Sequence, residues 1–312
     1  MFKYLRLSIT DRCNFRCIYC MPEEGICKKA HSEILRFEEL LPIVQVAVKT
    51  GVEQVRITGG EPLVRRGLVG FVADLAKIEG LKDLCLTTNA SRLSEMAEDL
   101  KKAGLGRVNI SLDSLNHQTF RKITRLGELD RVLEGIHAAV KAGLEPVKIN
   151  VVIIPGVNDG EIADFARFAR DNPVHVRFIE RMPFPGARND SEYFSEARVH
   201  EIIGRSFELI EAQSGDSFGP SRNYQVKGGK GFIGFISPRT RPFCESCRRL
   251  RLTSNGYLLP CLDSTMGVMV RGMPADDLEK VIAELFANKK AWHKNQACFK
   301  STFDSSLSKI GG

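Results

Sequence analysis

One Trp and five Tyr in 312 residues leave little for an aromatic platform that stacks single-stranded bases. Long apolar runs are also missing. Residues 151–154 form the nearest approach and stop at Pro155, far short of the roughly 18 residues of a membrane span. The first twenty residues carry Lys3, Arg6, Asp11, Arg12 and Arg16 with no apolar signal core between them. A secretory leader is therefore not expected, and a cytoplasmic protein without membrane association is. Disorder is excluded by ordinary globular values, 43% hydrophobic and 27% charged residues. The net charge of +7 suits an acidic partner without choosing its class.

What is present is a repeat of strand, loop and amphipathic helix over the first 180 or so residues. The β-branched runs predict strands at residues 5–10, 54–58, 83–88, 107–112, 147–154 and 174–180. Helices are predicted between them, at 38–50, 67–78, 91–103, 129–142 and 161–171. Gly51, Gly104 and Gly143 follow three of these helices and are placed to be left-handed C-caps. Successive βα steps imply a parallel sheet with right-handed crossovers. Polar residues follow almost every strand: Asp11, then residues 59–61, 87–89, 111–113 and 180–182. Polar groups spread over many strand ends fit a barrel rim better than the single switch point of a doubly wound sheet. The expected fold class is α/β, a partial (βα)6 barrel over residues 1–182. A smaller α+β module follows over 183–312, with short strands near 223–227 and 232–237, an Asn255-Gly256 hairpin turn and a helix at 276–288.

Nine cysteines, an odd number in clusters, argue for metal or redox chemistry rather than a disulfide framework. Cys13, Cys17 and Cys20 form C-x3-C-x2-C directly after the first strand. Chance gives roughly 0.01 occurrences of that spacing, so three thiolates are being brought to one place for a reason. Iron–sulfur and zinc both suit them, with Cys27 or His31 as the nearby fourth ligands zinc would need. The second group is Cys244-x2-Cys247-x13-Cys261, with Cys298 as a distant fourth, and zinc again competes. Here Arg239, Arg241, Arg248, Arg249 and Arg251 crowd the same stretch against Glu245 alone. Structural zinc needs no such crowd. A triphosphate does, because guanidinium forks bind its oxygens in pairs. Cys85 receives no role from the sequence, and Cys27 and Cys298 none beyond that of a possible fourth ligand.

Thr10-Asp11-Arg12-Cys13-Asn14-Phe15-Arg16-Cys17-Ile18-Tyr19-Cys20-Met21-Pro22 resembles the cluster loop of the radical S-adenosylmethionine (SAM) enzymes, and Gly59-Gly60-Glu61-Pro62 resembles their second motif. The segment from Pro242 to Leu252 is similar to one branch of that superfamily, the GTP 3',8-cyclases of molybdenum cofactor biosynthesis. Landmarks across the chain agree, among them Leu86-Thr87-Thr88-Asn89, Asn109-Ile110-Ser111-Leu112-Asp113 and the terminal Ile310-Gly311-Gly312. Ala90 stands where that branch usually has Gly, Leu307 where Met is common, and residues 126–128 lack its charged pattern.

The resemblance implies two [4Fe-4S] clusters, one on Cys13, Cys17 and Cys20 and one on Cys244, Cys247 and Cys261. It implies SAM contacts at Tyr19, Gly60, Ser111 and Met182, the paired glycines letting backbone carbonyls meet the SAM ammonium with Glu61 nearby. GTP is implied at Arg6, Arg56, Thr87, Lys148, Arg177, Arg249 and Arg251, and a catalytic role at Gly311 and Gly312. The implied partners are an external one-electron donor, a second pathway enzyme (cyclic pyranopterin monophosphate synthase) that takes the product, and a second copy in a homodimer. Two other readings compete. One is a radical SAM peptide maturase with an auxiliary cluster; the other is a nucleic-acid-binding protein with two zinc sites.

Overall fold

A computed structural model describes residues 3–182, 194–212, 220–262, 264 and 266–289. Among them every expected βα step is present. The strands are β1 (Lys3–Ser8), β2 (Val52–Thr58), β3 (Asp83–Thr88), β4 (Arg107–Ser111), β5 (Lys148–Val152) and β6 (His175–Ile179). The helices α1 (Phe37–Lys49), α2 (Leu68–Ala76), α3 (Ala97–Lys102), α4 (His117–Thr124), α5 (Leu129–Lys141) and α6 (Ile162–Asp171) alternate with them. Gly51, Gly104 and Gly143 have φ of 94°, 101° and 70°, the left-handed caps their position required. The third helix differs from expectation. Asn89 Oδ1 accepts from Ser91 N (3.0 Å) and Ser91 Oγ (2.8 Å), a side-chain turn that holds the chain out of helix there. Regular α-helix begins only at Ala97, after a 3-10 turn at Leu93–Glu95.

The later strands are β7 (Leu209–Glu211), β8 (Arg222–Val226), β9 (Phe232–Ile236), β10 (Arg249–Leu252), β11 (Tyr257–Leu259) and β12 (Val268–Met269). Helices α7 (Glu196–Gly204) and α8 (Ala275–Ala287) complete the described elements. The chain divides into two compact units that do not follow its order. Among the described residues, one holds 3–88, 98–106 and those from 244 to 289; the other holds 89–97 and those from 107 to 243.

In the first unit the strand order is β12-β11-β10-β1-β2-β3. Strand β10 lies parallel to β1, and the Asn255-Gly256 hairpin turns back into antiparallel β11. The core is built from the apolar alternate positions, Leu5, Leu7, Val55, Ile57, Leu84 and Leu86, all at most 6% exposed. Helix α8 packs on α1, where Lys49 pairs with Glu279 at 3.0 Å. In the second unit the order is β4-β5-β6-β9-β8-β7, with β9 parallel to β6. Here Ala90 keeps a left-handed backbone, φ 60°, at a cost of about 1–2 kcal/mol. Gly135 on α5 makes this turn possible, because a Cβ there would overlap the Ala90 carbonyl oxygen and lie 3.1 Å from its Cβ.

Candidate active site

Three cysteine side chains stand on the loop that leaves β1, all half-buried. Cys20 N donates to Cys17 O (2.9 Å), and Phe15 N donates to Cys13 Sγ (3.3 Å). Burial, reinforced by the Glu61 carboxylate, pushes the Cys13 thiol up to about 12. Such a thiol is inert until a metal displaces its proton.

The Gly-Gly-Glu segment after β2 is what seats this loop. Gly60 N donates to Thr10 O (2.7 Å) and Glu61 N to Arg12 O (2.8 Å). A Cβ on Gly59 would sit 2.6 Å from Thr10 O; one on Gly60 would sit 2.6 Å from the Arg12 carbonyl carbon. Both glycines are thus demanded by the protein's own backbone, apart from any ligand they approach. Glu61 is buried and its Oε1 accepts from Leu63 N (2.9 Å) and Thr88 Oγ1 (2.7 Å), which fixes its carboxylate. Arg65 then ties the motif back to Ile9 O and Leu35 O while lying 4.0 Å over the Phe37 ring.

Alternate residues of β10, β1, β2 and β3 put polar side chains on one face. Register places Arg251 beside Arg6, Arg6 beside Arg56, and Arg56 beside Cys85. The adjacent row is Arg249, Tyr4, Gln54 and Asp83. Beyond it on the other side, Ser8 pairs with Thr58, and Thr87 follows Leu86 on β3. Three guanidinium groups on neighbouring strands, about 4.8 Å apart, repel one another. Burial first, then the Arg251 charge, lowers Arg6 to about 9; burial likewise lowers Arg251 to about 10. An anion is the counter-charge that would reverse both shifts. Arg56 Nε donates to Cys85 Sγ (3.2 Å). The Arg56 and Arg249 guanidinium carbons lie 5.1 and 5.8 Å from the Tyr4 ring.

Cys244 and Cys247 flank a single 3-10 turn just before β10, and Cys261 follows β11 in the same unit. Burial alone would raise the Cys247 thiol, but Lys289 and Arg249 together hold it below its ordinary value. Among the described residues no three Cys, His, Asp or Glu side chains converge on one point. A tetrahedral zinc with bonds of about 2.3 Å would draw its sulfurs to within about 3.8 Å of one another. A cubane gives each thiolate its own iron and lets the sulfurs stand farther apart, and each set of three cysteines offers the all-thiol donors such a cluster takes.

In the second unit Lys148 and Arg177 are buried on β5 and β6. Arg177 donates from Nε and Nη2 to Asn150 Oδ1 at 3.0 and 2.7 Å. Burial and these two cations lower His175 to about 4. Ser111 and Met182 are half-buried at the ends of β4 and β6. Glu180 accepts from Arg239 N (3.0 Å) and Thr240 N (3.1 Å), so this carboxylate at the end of β6 anchors the loop that follows β9. Cys298, Ile310, Gly311 and Gly312 lie outside the described residues.

Three residues were given no role by the sequence, Asn109 entering it only as part of a landmark. Tyr4 Oη and both amide atoms of Asn109 are buried without a hydrogen-bond partner among the described residues. A signal existed for both: Tyr4 stands two residues before Arg6 and Asn109 two before Ser111, which puts each on the same strand face. Lys289, buried near Cys247, had none.

The chain matches the model of the radical SAM superfamily over residues 7–169 and that of Molybdenum Cofactor Synthesis C over 174–295. It is 48% identical to a GTP 3',8-cyclase of Geobacter sulfurreducens, covering 99% of this chain and 96% of that one. A GTP 3',8-cyclase of Alkaliphilus oremlandii is 46% identical, with 99% and 97% covered. Among solved structures, Streptococcus suis SuiB bound to S-adenosylmethionine superposes with a TM-score of 0.66 at 17% identity, covering 99% of this chain and 72% of that one. That likeness is one of fold.

Proposed function

The chain belongs to the GTP 3',8-cyclase family of radical SAM enzymes, and from that premise we propose how its residues divide the reaction. It is an enzyme that cyclises GTP to (8S)-3',8-cyclo-7,8-dihydroguanosine 5'-triphosphate, the first step of molybdenum cofactor biosynthesis. It uses a [4Fe-4S] cluster and SAM, which together supply a one-electron cleavage giving methionine and a 5'-deoxyadenosyl radical. The peptide-maturase reading is not favoured. Against it stands 46–48% identity to cyclases over nearly the whole chain.

Cys13, Cys17 and Cys20 are assigned to the SAM-cleaving cluster, and Cys244, Cys247 and Cys261 to a second one. Tyr19, Gly60, Ser111 and Met182 are assigned to SAM on the family positions they occupy. Arg6, Arg56, Thr87, Lys148, Arg177, Arg249 and Arg251 are assigned to the nucleotide. The observation that carries the nucleotide assignment is the row Arg251–Arg6–Arg56, in which burial and neighbouring cations lower Arg6 and Arg251 while Cys85 and Tyr4 support Arg56; a bound anion would offset both lowered shifts. Arg249→Ala and Arg251→Ala are each expected to lose about 1.5–3 kcal/mol of GTP binding, roughly tenfold or more in Kd. Equilibrium binding of GTP measures this, and SAM affinity should not change. Unaltered GTP affinity in both variants would return these arginines to a structural role.

The residues also control where the radical goes. The glycine-seated loop and the fixed Glu61 carboxylate hold the SAM end in place. The arginine row holds the triphosphate, so that the ribose 3' hydrogen is presented in one orientation and its carbon is left to attack C8 of guanine. Gly311 and Gly312 are proposed to enter this site, where residues without side chains fit a channel narrowed by two ligands. Deleting both is expected to leave iron content and GTP binding intact and to abolish the cyclised product; product formed at the undeleted rate would make the tail a bystander. An external one-electron donor, a cyclic pyranopterin monophosphate synthase as recipient of the product, a homodimer and a cytoplasmic location complete the proposal. Among the described residues no helix is long and apolar enough to cross a membrane.

A further inference from the structure

Lys289 is 5% exposed, yet nothing in the reaction so far uses it. Its ammonium donates to the backbone carbonyl of Arg249 and to the Cys247 sulfur, with the Cys261 sulfur also close enough to act on it. Burying an ammonium is costly unless acceptors surround it. Here the acceptors are one strand carbonyl and the sulfurs assigned to the second cluster, so the lysine is placed where those sulfurs are. The carbonyl is that of β10, the strand that carries Arg249 and Arg251. One side chain therefore touches both the arginine strand and the cysteine group.

We infer that Lys289 is a positioning residue of the second cluster, a fixed positive charge held against Cys247 and Cys261 that favours the cluster's reduced state. The inference rests on the proposed ligation by Cys244, Cys247 and Cys261. Reduction by one electron makes a cluster and its thiolates one unit more negative. A cation fixed beside the sulfurs, where water is largely excluded, stabilises that state over the oxidised one. Hydrogen bonding to a ligand sulfur acts in the same direction and also orients it. Arg249 and Arg251 supply charge to the same region, and Lys289 adds an ammonium bonded to the Cys247 sulfur.

The test uses the full chain reconstituted anaerobically with iron and sulfide. Cys13→Ala, Cys17→Ala and Cys20→Ala are combined in the parent so that only the second cluster titrates. Its midpoint is read by electron paramagnetic resonance during reductive titration with dithionite, in the parent and with Lys289→Gln or Lys289→Arg added. Lys289→Gln is expected to lower the midpoint by a tenfold change in the reduced-to-oxidised ratio, about 59 mV for a one-electron couple. Lys289→Arg should restore most of it. Loss of iron from the Gln variant with retention in the Arg variant would support the same conclusion. An unchanged midpoint in Lys289→Gln, or loss of iron from both variants while they remain folded by circular dichroism, would overturn it. A parent that holds no iron at all would instead refute the second ligand set on which the inference stands.

Discussion

Cys17→Ala is expected to release neither methionine nor 5'-deoxyadenosine from SAM, while Cys261→Ala should release both and yet make no cyclised nucleotide. The asymmetry comes from what surrounds each cysteine group. Only the first is clamped by a Gly-Gly-Glu segment, through Gly60 N to Thr10 O and Glu61 N to Arg12 O. Only the second adjoins the strand of Arg249 and Arg251 and the buried Lys289. Chelating a sulfonium substrate suits the first setting; holding an anionic nucleotide suits the second. Removing one of three thiolates leaves too few ligands for a cubane that already has an open iron. Anaerobic assay for 5'-deoxyadenosine and for nucleotide product in each variant reads the two activities separately. Equal loss of SAM cleavage in both would remove the division of labour.

Gly60→Ala is expected to be nearly as damaging, although it removes no ligand. Its Cβ would overlap the Arg12 carbonyl oxygen and stand 2.6 Å from the carbonyl carbon, and backbone cannot rotate away as a side chain does. Overpacking of side chains costs about 1–3 kcal/mol, and an overlap with the backbone of the loop itself should exceed that range. The loop must lift, and with it Cys13, which lies one residue beyond Arg12. Iron at the first cluster should therefore fall even when no SAM is present, with SAM cleavage down at least a hundredfold. Iron analysis in SAM-free buffer separates this from a purely steric effect on SAM. Full iron content with weak SAM binding would mean that the glycines serve the ligand and not the loop.

The βα repeats were legible because strand and helix differ in period, and because Gly51, Gly104 and Gly143 mark helix ends by a backbone only glycine adopts easily. Helix α4 was passed over, although Asn116 caps it by accepting from Gln118 N (2.9 Å) and Thr119 N (3.0 Å), and an Asn before such a run is a readable signal. Other features had no local signature. The parallel pairing of β10 with β1 joins residues more than 240 positions apart, and no periodicity within either segment states it. It is nevertheless this pairing that puts Arg251 beside Arg6 and so completes a row drawn from three separate stretches of sequence. The motif glycines were legible as glycines needed at a site, but their collision partners, Thr10 and Arg12, emerge only once the loop is folded. Lys289 sits in a segment that reads as an ordinary basic helix end, and burial alone distinguishes it.

The central claim is that this chain removes the 3' hydrogen of GTP and joins that carbon to C8. The measurement closest to it is mass spectrometry of the 5'-deoxyadenosine formed anaerobically from SAM, dithionite and GTP deuterated at the ribose 3' carbon. Singly deuterated 5'-deoxyadenosine, formed together with a cyclised nucleotide that has lost the label, is the expected result. Unlabelled 5'-deoxyadenosine with GTP recovered unchanged would contradict it.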